Sequence, residues 1–232
     1  MQDGPNIIGI AALIGDQARA QVLTALMSGM ALTATELADI AGVTRQTISG
    51  HLAKLVEAKL LAVEQQGRHR YFRLADDDVA QLLESLMGVA FRSGALRLRS
   101  SPREPALRKA RVCYDHLAGE LGVLMYEQLA RHGAFTFGAE GLALSESGAR
   151  RMREFGIDLA AHADKRRNLC RTCLDWSERR HHLAGALGGA LLVRFETLGW
   201  AKRARDSRVM AFSAEGEQRL RDWLDTACTH GA

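Results

Sequence analysis

Over the first ninety positions, apolar residues recur at spacings of three and four, interrupted by one alternating stretch. Ile7 to Ile14 is an apolar block that predicts a short helix. Asp16 stands where it can cap a second helix running to about Ser28, with Val22, Leu23, Leu26 and Met27 on one face. Thr33-Ala34-Thr35-Glu36 fits a capping box for a short helix to Ala41, which Gly42 stops. Thr44 can cap a longer helix to about Ala58, on which Ile48, Leu52, Leu55 and Val56 repeat at helical spacing. The period then changes. Leu60 to Glu64 and Arg68 to Leu74 flank Gln65-Gln66-Gly67, which predicts a β-hairpin with Phe72 and Leu74 inward and Arg70, Tyr71 and Arg73 outward. Asp76 to Asp78 place acids at the positive end of another helix, which carries Val79, Leu82, Leu83, Leu86 and Phe91 on one face. That stripe is longer than a small domain needs, so part of it is expected to form a dimer interface.

The run from Arg99 to Pro105 holds two of the three prolines and reads as a linker. Beyond it the pattern occurs twice. Cys113-Tyr-Asp-His116-Leu-Ala-Gly-Glu-Leu-Gly122 aligns with Cys173-Leu-Asp, an insert from Trp176 to His181, and His182-Leu-Ala-Gly-Ala-Leu-Gly188. Each copy continues through an apolar helix to a glycine (Gly133, Gly199) and a variable stretch. Leu144-Ser-Glu-Ser-Gly148 or Phe212-Ser-Ala-Glu-Gly216 then leads into an arginine-rich amphipathic helix. We read an internal duplication of about 65 residues. Leu117 to Val123 also parallels Leu37 to Val43, so each copy is expected to be a shortened unit of the N-terminal kind. Met125, Tyr126, Leu129, Leu191, Leu192 and Phe195 are expected to pack rather than to read a groove.

Composition adds direction. A net charge of +4 on 232 residues suits a nucleic-acid partner. From Arg92 to Arg111 six arginines and one lysine face a single acid, Glu104. The apolar block at Ile7 is too short to cross a bilayer and lacks the basic flank of a signal peptide, which points to a cytoplasmic protein with reduced thiols. Phosphate-binding glycine loop, nucleophile elbow and paired metallohydrolase histidines are all missing, so an enzyme carrying an attached DNA-binding module is the weaker reading.

A helix, a turn at Gly42, a second helix and a basic hairpin can seat the second helix in a major groove while the hairpin lies over neighbouring backbone. Thr44, Arg45, Gln46, Thr47, Ser49, His51 and Lys54 supply the helix front, and Arg68, His69 and Arg70 the hairpin. Arginine and glutamine suit guanine and adenine edges, and hydroxyls suit phosphate. The stretches Leu37 to Leu52, Leu55 to Leu61 and Gly67 to Leu74 resemble the winged-helix domain of the ArsR/SmtB family of bacterial repressors. The resemblance implies a homodimer paired through its first helix and the Asp77–Phe91 helix, on a palindromic double-stranded DNA operator, released by an effector. It does not carry metal sensing with it. Glu36 to Ile40 has no cysteine and Asp76 to Phe91 no histidine, so neither familiar metal site of the family is present.

The expected fold is thus mainly α with small β-hairpins (α+β). Residues 1–95 form a winged helix-turn-helix and 96–106 a basic linker. Residues 107–228 form a duplicated, degenerate winged-helix-like sensor region, with repeats at about 112–160 and 170–226. Cys170-Arg-Thr-Cys173 with thiol or imidazole from Cys113 and His116 can make a tetrahedral zinc site or a three-thiolate arsenite site, with His181 and His182 close in sequence. The same pair can be a thiol switch, with Lys165, Arg166, Arg167 and Arg171 favouring thiolate. An organic effector walled by Tyr114, Asp115, Asp175, Trp176 and His182 is a third reading, and plain core cysteines a fourth. Cys228 has no partner in sequence. An architectural DNA binder with little sequence preference stays open beside the repressor.

Overall fold

The computed structural model describes residues 5–67, 69–93, 104–138, 141–162, 168–205 and 207–226. The chain divides into two units between Leu83 and Glu84. Most of the expected linker lies outside the described residues.

In the first unit the order is α1 (Ile7–Ile14), α2 (Gln17–Leu26), β1 (Leu32–Thr33), α3 (Ala34–Ala41), α4 (Arg45–Glu57), β2 (Leu61–Gln66), β3 (His69–Leu74) and the start of α5 (Asp77–Arg92). Local chemistry sets the boundaries. Asp16 accepts from the Arg19 amide at 3.0 Å to open α2. Thr33 and Glu36 exchange the reciprocal bonds of a capping box, and Gly42 ends α3 at φ 65°. The expected hairpin forms, but β2 runs on through Gln65 and Gln66, which pair with Arg70 and His69, where the sequence pattern places them in the turn. The sequence reading missed β1, which adds Leu32 and Thr33 to the outer edge of β3. Two residues are too few to show an alternating pattern.

Val22, Leu23, Leu26 and Met27 are buried with Leu37, Ile48, Leu52, Leu55, Phe72 and Leu74, where α2, α3 and α4 meet. Each such aliphatic side chain contributes about 1.5–3 kcal/mol on burial. The α5 stripe splits. Val79 and Leu83 are buried, but Leu82, Leu86 and Val89 are exposed, as are Ile7 and Ile8 on α1.

The second unit runs through α6 (Glu104–Lys109), β4 (Arg111–Cys113), β5 (His116–Ala118), α7 (Glu120–Arg131), β6 (Phe135–Gly138), β7 (Gly141–Leu144) and α8 (Glu146–Glu154). It then repeats itself: β8 (Arg171–Leu174), β9 (His181–Ala184), α9 (Gly185–Thr197), β10 (Ala201–Arg203), β11 (Met210–Phe212) and α10 (Ala214–Asp225). Hairpin, helix, hairpin, helix occurs twice, each hairpin antiparallel. The likeness extends to single atoms. Ser145 and Ser213 each cap the following helix by accepting from a glycine amide at 2.9 Å, Gly148 and Gly216. A Cβ on either glycine would lie 2.1 Å from a carbonyl oxygen, of Ala134 or Trp200.

The parallel drawn between Leu117–Val123 and the α3 turn does not hold in detail. Leu117 and Ala118 are strand, and Gly122 sits inside the first turn of α7 instead of ending a helix as Gly42 does. Its role is close approach. A Cβ there would lie 2.5 Å from the Leu117 carbonyl oxygen and 3.6 Å from His182 Cβ, and at Gly188 it would meet Leu183 at 2.7 Å and His116 Cβ at 3.1 Å. Each repeat's helix therefore packs on the other repeat's hairpin, α7 on β9 and α9 on β5. Met125, Leu129, Leu191, Leu192 and Phe195 fill the shared core, with Tyr126 packed against it. Among the described residues no helix is long and apolar enough to cross a membrane.

Candidate functional site

The first unit presents a polar helix front. Thr44 accepts from the Thr47 amide at 3.2 Å and starts α4 at Arg45. Burial of Ile48, Leu52 and Leu55 turns the opposite face outward, so Thr44, Arg45, Gln46, Thr47, Ser49 and Lys54 are exposed. His69 and Arg70 are exposed on the hairpin, and Arg68 lies outside the described residues. His51 differs from its neighbours. It is half-buried, with Nδ1 3.2 Å from an Arg19 guanidinium nitrogen and 3.8 Å from Asp16. Arg19 in turn donates to the carbonyls of Leu13 and Ala12 at 2.6 and 3.0 Å. His51 thus ties α4 to α2 and stands back from the front.

In the second unit the two N-terminal hairpins of the repeats converge. Cys113 pairs with His116 across β4 and β5, and Cys173 with His182 across β8 and β9. All four are buried, and one ligand atom from each lies within 4.8 Å of all the others. The two Nε2 atoms face each other at 3.1 Å. Behind each ring stands a carboxylate: Asp115 3.0 Å from His116 Nδ1, and Asp175 3.3 Å from His182 Nδ1, close enough for an ion pair though not aligned as a hydrogen bond.

Asp175 is the hub. It accepts from Arg111 at 2.9 Å, from the Gly119 amide at 2.7 Å, and from the Ser177 hydroxyl and amide at 2.8 and 3.0 Å. Burial opposes its ionisation, yet His182, Arg111 and the Gly119 amide hold the carboxyl far below the usual carboxylate range. Burial likewise works against a charged His182, and Asp175 and Cys113 overcome it, so the imidazole is raised.

The matches to known proteins cover these features unequally. Residues 14–64 match a helix-turn-helix domain family. Over 213 residues the chain is 43% identical to YdfF of Bacillus subtilis strain 168, an uncharacterized HTH-type transcriptional regulator, spanning 92% of this chain and 94% of that one. The chain belongs to the HTH-type transcriptional regulators. Its first unit has the order of a winged helix-turn-helix, α3 and α4 followed by the β2–β3 hairpin. Solved structures similar to this regulator include the homodimeric winged helix-turn-helix DNA-binding domain of a Mycobacterium bovis protein, at 20% identity and a TM-score of 0.36, covering 44% of this chain and 100% of that one. Another is the cadmium metal-sensor CMTR of Mycobacterium tuberculosis, at 26% identity and a TM-score of 0.32, covering 40% and 92%.

The remaining candidate residues of the regulator fall in different places. Cys170 stands in the apolar core, apart from the four-residue cluster, and burial pushes its thiol up to about 12. That opposes the thiolate expected there from neighbouring basic residues, because an apolar surrounding disfavours the charged form. Lys165, Arg166, Arg167 and Cys228 lie outside the described residues. Among the described residues the cluster holds two thiols, so a three-thiolate arsenite site is not assembled. His181 is exposed. Tyr114 takes φ 61° in the β4–β5 turn and is half-buried. Trp176 lies under the Arg111 guanidinium at 4.6 Å. Arg111 escaped the sequence reading, although an arginine one residue before a Val-Cys run and two before Cys113 was the available signal. It is wholly buried.

Proposed function

We propose that this regulator is a homodimeric repressor that reads a palindromic double-stranded DNA operator with α4, grips flanking backbone with the β2–β3 hairpin, and leaves the operator when an effector acts on its second unit. The observation that carries the reading is the exposed run Thr44 to Thr47 with Ser49, held outward by a fully buried Ile48, Leu52 and Leu55. Arg45 and Gln46 are the base readers in this scheme, and Thr44, Thr47, Ser49, Lys54, Arg68, His69 and Arg70 the backbone contacts. His51 supports α4 from behind. Ile7 and Ile8 on α1, and Leu82, Leu86 and Val89 on α5, are each exposed apolar side chains available for pairing with a second chain. The buried Cys/His cluster favours a metal among the effector classes. A cytoplasmic, non-enzymatic role follows from the same reading.

The test is operator selection from a random duplex pool with the full chain, followed by titration of the selected site. A selected palindrome bound at least a thousandfold more tightly than random duplex supports the repressor. Equal affinity for both would replace it with the architectural binder, whose backbone contacts discriminate little.

A further inference from the structure

We propose that Cys113, His116, Cys173 and His182 together hold one tetrahedral zinc-class divalent ion, each repeat donating one thiolate and one imidazole. This deepens the reading of the second unit as the effector-responsive part, but it concerns that unit's own chemistry and holds or fails without any DNA result.

Three observations carry it. The first is size. Zinc bonds of about 2.3 Å to sulfur and about 2.0–2.1 Å to nitrogen place tetrahedral ligand atoms roughly 3.3–3.8 Å apart. The two Nε2 atoms are 3.1 Å apart and all four ligand atoms lie within 4.8 Å of one another. Side-chain adjustments of under about an ångström complete the shell. The second is orientation. His116 Nδ1 is at hydrogen-bond distance from Asp115 and His182 Nδ1 lies 3.3 Å from Asp175, so on each ring the carboxylate favours the proton on the Nδ1 side. The two Nε2 atoms then face each other at 3.1 Å, an arrangement that a cation between them relieves. Carboxylate behind imidazole behind metal is also how ligand orientation is fixed in metal sites generally.

The third is charge. Two thiols lose their protons to solvent on binding, and two thiolates with a divalent ion sum to zero, so the filled site buries no net charge. With four protein ligands and every ligand residue buried, the shell is closed. That suits an ion held for its structural effect rather than one that opens a position for substrate. Because the four ligands come equally from the two repeats, the ion clamps one hairpin to the other. Gly122 against His182 and Gly188 against His116 leave room for that approach.

The experiment uses the reduced full-length chain, stripped with a chelator, and Co(II) as the probe. We expect one equivalent per chain, intense visible bands of tetrahedral cobalt, a near-ultraviolet thiolate charge-transfer band, and displacement by Zn(II). Cys170→Ser should keep the whole spectrum, and Cys113→Ser should lose at least half of the charge-transfer intensity. X-ray absorption of the zinc-loaded wild-type chain needs no variant and should count two sulfurs and two nitrogens. Failure to bind, a six-coordinate spectrum, a sulfur count other than two, or loss of the band in Cys170→Ser overturns the assignment. Loss of operator selectivity with an intact two-sulfur site would instead count against the DNA reading alone.

Discussion

Phe155 stacks on Trp223 with ring centroids 4.1 Å apart and planes 25° from parallel. The two hold the same place in the two repeats, one after α8 and the other on α10, so their contact marks the approximate twofold relation between the halves of the second unit. His116 and His182 meet across the same relation. An aromatic pair of this kind contributes about 0.5–1.5 kcal/mol beyond its buried area. A double-mutant cycle with Phe155→Leu and Trp223→Leu should return a coupling of that size in denaturant unfolding. Strict additivity would show that the rings are merely adjacent.

Arg111 and Asp175 form an ion pair with neither side chain reaching solvent. Asp175→Ala strands the guanidinium in the interior, and we expect a loss of about 3–5 kcal/mol. Replacing both partners with apolar residues, Arg111→Met with Asp175→Leu, should recover part of it, because the desolvation cost is then removed on both sides. The unfolding midpoint of each variant measures this.

The duplication was legible because it is written in residues that have no substitute: the glycines that admit a carbonyl, the capping serines, and the Cys and His at matching places. Helix ends in the first unit were legible for the same reason, since Asp16, Thr33, Thr44 and Gly42 act on neighbouring amides. The metal-ligand set was harder. Sequence proximity favoured Cys170 with Cys173, but three positions along this chain carry Cys170 into the core, while a hairpin places His182 opposite Cys173. Strand pairing, which joins residues nine apart there, is not visible in spacing alone. Arg111 was missed because it closes the basic stretch from Arg92, where an arginine reads as solvated surface until its acid, 64 residues on, is seen beside it.

Glycine positions give opposite expectations in the two units. Gly216→Ala drives a methyl group to 2.1 Å from the Trp200 carbonyl oxygen, so the α10 start must shift and stability should fall by about 1–3 kcal/mol, the range of overpacked cores. Gly50 on α4 is exposed and has nothing within 4 Å of its would-be Cβ. Gly50→Ala should stabilise the first unit by roughly 0.5–1 kcal/mol. Thermal unfolding of the two variants, run side by side, would move in opposite directions.

Glu36 accepts from the Thr33 amide and hydroxyl at 2.7 Å each, and those bonds hold its carboxyl below the usual range. A depressed acid contributes stability above its unfolded value, near about 4.3, and loses it as pH falls through the folded value. Glu36→Gln should therefore cost stability at pH 7, where the charged cap is intact. The gap between variant and wild type should narrow below about pH 4. A gap that stays constant across that range would assign the cap's effect to hydrogen bonding without charge.

The exposed apolar residues of α1 and α5 make the pairing surface testable without DNA. Leu86 on α5 is 42% exposed and Ile8 on α1 is 77% exposed, apolar side chains that pairing with a second chain would cover. Leu86→Asp leaves the buried residues Val79 and Leu83 of α5 untouched, so the fold should persist by circular dichroism. If the pairing surface is used, light scattering should show the wild-type chain at twice its 25.4 kDa mass and the variant at that mass itself. Operator affinity should fall with it, because each half-site then binds alone and the gain from tethering two readers is lost. A wild-type chain that is monomeric at micromolar concentration, or a variant that stays paired, would move the interface elsewhere on the molecule.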